Sequence, residues 1–81
     1  MRQESTLHKL NRISGKETIK RLEQLGFQKI RQKGSHVVMK KVTSDGEIGC
    51  VVPLHKELAV GTLLGILKQA RISVDLFVDA E

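Results

Sequence analysis

At 81 residues the chain has material for one small domain and too little apolar surface for a second core. Hydrophobic residues make up 40% of it, but the only aromatics are two phenylalanines, so the core must be aliphatic. Folds that stack unpaired bases on aromatic platforms are correspondingly disfavoured. The net charge of +5 favours an anionic partner, and a single cysteine excludes an intrachain disulfide.

Residues Met1 to Ile13 are polar and without a clean period. They read as a loose N-terminal arm, in which Leu7, Leu10 and Ile13 are spaced to share a helical face; residues 14–81 form the domain proper. Ser14-Gly15-Lys16-Glu17 fits a capping box, with a hydroxyl at the N-cap and a carboxylate three residues on. Ile19, Leu22 and Leu25 follow at helical spacing and Gly26 can close the turn, which predicts a helix over about residues 15–25. Phe27 to Lys33 reads as a strand, although its apolar residues Phe27 and Ile30 fall on opposite parities. Gly34-Ser35 makes a tight turn into a second strand, His36 to Val42. Ser44-Asp45-Gly46-Glu47 is a hairpin turn whose Asp-Gly pair supplies positive φ, and a third strand, Ile48 to Val52, is closed by Pro53.

Leu54 to Ala59 reads as a loop. Val60, Leu63, Leu64, Leu67 and Ala70 then recur at helical spacing, and Ser73 can cap a last short turn containing Leu76 and Phe77. The order helix, three antiparallel strands, helix predicts an α+β sandwich with two helices on one face of a meander sheet. Double-stranded-RNA-binding domains share that topology, an analogy that leaves function open. No stretch is long or apolar enough for a signal peptide or membrane span, so a cytoplasmic protein without a membrane partner is expected.

The residues with chemical potential lie in the first hairpin. From Phe27 to Ser44 every charged residue is a cation: Lys29, Arg31, Lys33, Lys40 and Lys41. Gly34-Ser35-His36 sits within that run. An imidazole that titrates near neutral pH, among cations and glycine-freed amides, suits chemistry at a phosphodiester. The triplet alone fits a surface histidine at a strand end far better than a catalytic one; the density of positive charge is what favours the catalytic reading. Parity groups His36 with Val38, Lys40 and Val42, and does not decide which sheet face is open. His55 offers a second proton-transfer group or phosphate contact, or simply a loop histidine, and Cys50 reads as a buried small hydrophobe. No spacing fits a metal site, a Ser–His pair or a nucleotide-binding glycine loop, so no cofactor or metal is expected.

Several segments in order, Ser14-Gly15-Lys16-Glu17, Leu25-Gly26-Phe27, Arg31 to His36, Val52-Pro53-Leu54-His55, Gly61-Thr62-Leu63 and Ile66 to Ala70, resemble the HicA toxins, the RNA-cleaving halves of HicAB toxin–antitoxin pairs. The resemblance implies a dsRBD-like fold, metal-independent mRNA interferase activity and a HicB-like antitoxin as partner. It puts the catalytic histidine at His36. RNA contacts are expected from Arg31, Lys33, Gly34, Ser35, Lys40 and His55; a non-catalytic module binding double-stranded RNA on the same fold is the alternative. The sequence departs from the family at Arg71, where many members close the helix with glycine, at Asn11 in place of a common proline, and at Gly49-Cys50 in the third strand. The first departure leads to the expectation of different packing at that helix end.

Overall fold

The computed structural model describes residues 8–80. Its elements are α1 (Gly15–Gln24), β1 (Gln28–Lys33), β2 (His36–Thr43), β3 (Gly46–Pro53), α2 (Val60–Ala70) and α3 (Val74–Asp79). The strands form one antiparallel sheet in the order β1-β2-β3. The α+β sandwich is thus the one expected from the sequence, with α3 as a short addition to the two principal helices.

Local chemistry explains where each element begins. The Ser14 hydroxyl accepts the Glu17 N–H at 2.9 Å and so satisfies one of the free amides of α1. Gly34 takes φ 60° at the first position of the β1–β2 turn, the conformation a two-residue hairpin with the twist of its strands requires. The second turn sits one residue earlier than the Asp-Gly signal suggests. Ser44 and Asp45 form it, and Gly46 opens β3 at φ 124°. Ser73 caps α3 by accepting the Leu76 N–H at 3.1 Å.

One sheet face is covered. Val37 and Met39 of β2 lie opposite Val52 and Cys50 of β3, and all four are buried with Ile19, Leu22, Leu63 and Leu67 from the helices. The loose-arm reading does not extend to the end of the arm: Leu10 is fully buried and Ile13 is 5% exposed, both within this core. Residues 1–7, including Leu7, lie outside the described residues. The Ile13 carbonyl also accepts the Leu58 N–H at 2.8 Å, tying the arm to the β3–α2 loop.

The opposite-parity problem in β1 has a physical answer. The pairing of β1 with β2 slips between Lys29, opposite Met39, and Arg31, opposite Val38. Ile30 occupies this bulge and is 51% exposed, so it is no core residue. The outer edge of β3 is partly closed, because the Val51 N–H is 3.4 Å from Oε1 of Gln69 on α2.

Candidate functional site

The register decides the faces that parity left open. His36 lies opposite Lys33 on β1 and Pro53 on β3, beside the Arg31–Val38 pair. Directly opposed residues share a face, and Val37 and Met39 point into the core. His36, Lys33, Arg31 and Lys40 therefore project from the uncovered face, and all four side chains are exposed. Gly34 and Ser35 form the tip of the hairpin immediately before His36 and are also exposed.

The remaining cations of the run are turned elsewhere. Lys29 lies on the helix side of the bulge, and Lys41 stands over the Phe27 ring with its ammonium 6.0 Å from the centroid. Lys40 has a local partner, since its ammonium is 3.5 Å from a Glu47 carboxylate oxygen across the β2–β3 pair. A surface pair of this kind contributes about 0–1 kcal/mol, little enough for an incoming phosphate to displace it.

The hairpin tip is anchored from behind. The Ser35 carbonyl accepts the Leu54 N–H at 2.7 Å, and the His55 carbonyl accepts the Gly15 N–H at 2.9 Å. A Cβ on Gly15 would overlap the Pro53 carbonyl oxygen, so only glycine lets α1 come this close to the segment that follows β3. Tip, segment 53–55 and the start of α1 are thus locked together, which fixes the backbone at His36 on two sides. His55 is exposed and lines a cavity of about 350 Å³ with Ser14, Lys16, Leu54 and Lys56. His36 does not line that cavity. The two histidines flank one hydrogen bond, Leu54 to Ser35, yet serve different surfaces.

Cys50 is 3% exposed, and burial pushes its thiol up to about 11. It is therefore protonated at neutral pH and unsuited to nucleophilic attack. Among the described residues, no group of three His, Cys, Asp or Glu side chains is placed to hold a metal ion, and no helix is long and apolar enough to cross a membrane. Sequence reasoning passed over Lys16, Lys20 and Lys56. The first two were legible as cations at i and i+4, on one helical face.

A family model described as the HicA toxin of bacterial toxin–antitoxin systems matches residues 15–72, more than half of the chain. No curated protein matches it significantly.

Proposed function

We propose that this chain, which belongs to the HicA toxin family of bacterial toxin–antitoxin systems, is a metal-independent endoribonuclease acting on mRNA, with His36 as its proton-transfer group. The observation that carries the reading is the register at the start of β2: an exposed imidazole directly opposite Lys33 and next to Arg31, on a face that none of the described helices covers.

The chemistry follows from those groups. Neutral His36 accepts the proton of a ribose 2′-hydroxyl as its oxygen attacks the adjacent phosphorus. The bond from phosphorus to the 5′-oxygen breaks, leaving a 2′,3′-cyclic phosphate and a 5′-hydroxyl. The leaving oxygen takes its proton from water, from a lysine or, in the reverse role, from imidazolium. Positioned proton transfer of this kind accelerates a reaction by roughly 10²–10⁴-fold. Arg31, Lys33 and Lys40 stabilise the charge that builds on the phosphate oxygens, with the Gly34-Ser35 backbone close to the same group. DNA lacks the attacking hydroxyl and is not a substrate.

The toxin role implies an antitoxin, which we take to be a HicB-like protein that is acidic where it meets this face. The exposed Val42 and Val51 near Lys40 suit a partner with both apolar and acidic groups.

The test is induced expression of wild type beside His36→Ala, at matched soluble levels, with growth and total RNA followed in both. Growth arrest and mRNA loss in wild type alone are expected. Equal behaviour of the two would remove His36 from the chemistry and favour an RNA-binding module without catalysis.

A further inference from the structure

The helix side of the molecule carries a second basic surface that the His36 chemistry does not use. A groove of about 340 Å³ runs between α1 and the first hairpin, with Lys16, Lys20 and Lys29 on its walls. Its floor is aliphatic, formed by Ile19, Val37 and Leu54, and among the described residues Glu23 is the one acid that lines it. The groove shares Lys16 and Leu54 with the cavity that holds His55 and Lys56. The two compartments therefore adjoin at Lys16 and Leu54 and together, as one composite trough, carry four lysines on their linings.

The trough starts at the hairpin tip. Gln32 and Val37, which line it, form the cross-strand pair next to Lys33–His36, and Leu54 is bonded through its N–H to Ser35. A strand leaving the His36 face around the exposed tip would pass directly into it.

We infer that this trough holds two consecutive nucleotides of a single RNA strand, flanking the phosphate presented to His36. The lysines hold phosphates, and the aliphatic floor receives a base or ribose face. Each compartment, about 340 and 350 Å³, has the size of a small-ligand pocket. Neither admits a duplex. Both phenylalanines are buried in the core, so no aromatic platform is offered. Retention therefore rests on charge and depends steeply on salt. The inference rests on the reading of RNA as substrate, but not on His36 as catalyst.

The test measures affinity against salt for a 2′-O-methyl single strand, which cannot be cleaved by 2′-hydroxyl attack. The full chain is compared with Lys16→Gln/Lys20→Gln/Lys29→Gln and with a charge-matched control, Lys9→Gln/Lys68→Gln/Arg71→Gln, whose three exposed cations do not line the trough. Loss of three phosphate contacts should lower the slope of log K on log salt by about 2 and weaken binding roughly 10- to 50-fold near 0.15 M salt. The control should keep the wild-type slope. Equal slopes in all three proteins would overturn the trough while leaving the His36 reading intact. A wild type that binds no RNA at low salt would overturn both. An equal loss with a fully paired duplex would overturn the single-strand assignment. Cleavage that survives in His36→Ala, with the slope change present, would remove the catalytic reading and keep the trough.

Discussion

Arg71, where the resemblance to the family leads to the expectation of glycine, takes the backbone conformation that glycine favours. It caps α2 in the left-handed conformation, φ 59° and ψ 41°, with its N–H bonded to the Lys68 carbonyl at 3.2 Å. That conformation costs a side-chain-bearing residue roughly 1–2 kcal/mol, and glycine escapes the penalty. The helix thus closes in the geometry glycine favours, with arginine under strain. Arg71→Gly should raise stability by about 0.5–1 kcal/mol, read as an upward shift of the denaturant midpoint at constant m.

Cys50 allows a pH prediction. Its thiol is raised from 9.0 to about 11 by burial. Between those values the unfolded state releases the proton and the folded state keeps it, so unfolding gains from each rise in pH. The contribution is fully present below pH 9 and is lost as pH climbs towards 11. Two pH units correspond to at most about 2–3 kcal/mol. Wild type should lose more stability over this window than Cys50→Ala. Parallel pH profiles would refute it.

Among the elements, α1 has the most exacting placement. Its N-terminus meets segment 53–55 without room for a methyl group at Gly15. Gly15→Ala must push α1 away from the Pro53 carbonyl, and a loss of about 2 kcal/mol or more is expected. The hairpin tip is held through the same segment, so the RNA cleavage proposed for this face should fall even at temperatures where the variant stays folded. Thermal melting together with an activity assay checks both. Later on the same helix, Arg21 is nearly buried. Its Nε donates to Glu17 at 2.9 Å, and its guanidinium lies 5.0 Å from the Phe77 ring centroid. In the sequence, Glu17 and Arg21 look like an ordinary solvent-facing pair at i and i+4, because nothing local reveals that Phe77 of α3 will pack against the arginine.

Over the whole molecule, the core reaches beyond the segment that defines the family. The match covers residues 15–72, yet Leu10, Ile13 and Phe77 are all buried in the core. A fragment 15–72 should lose cooperative unfolding. Phe77→Ala alone should cost about 3–5 kcal/mol, against a total stability whose lower end is about 5 kcal/mol for a domain. Calorimetry on both would show it. Helix α1 was legible because cap, turn and period agreed; β1 was less so, because its bulge puts Phe27 and Ile30 out of phase. The buried end of the arm was not legible, because Leu10 and Ile13 stand in a polar stretch without a clean period. The open face was not either, since both faces of β2 mix apolar and charged residues; only pairing with β1 and β3 separates His36 from Val37.

The bulge at Ile30 has a consequence for how such a chain can change over time. Lys29, Arg31 and Lys33 stand two apart, and in a regular strand they would all point the same way. The extra residue shifts the phase once, so Lys29 belongs to the trough while Arg31 and Lys33 belong to the face of His36. Replacing any one of them alters the strength of a single surface. Gaining or losing one residue at this position would transfer charge from one surface to the other without changing a side chain, so indels here, more than substitutions, are the route by which relatives could redistribute their affinity between partners.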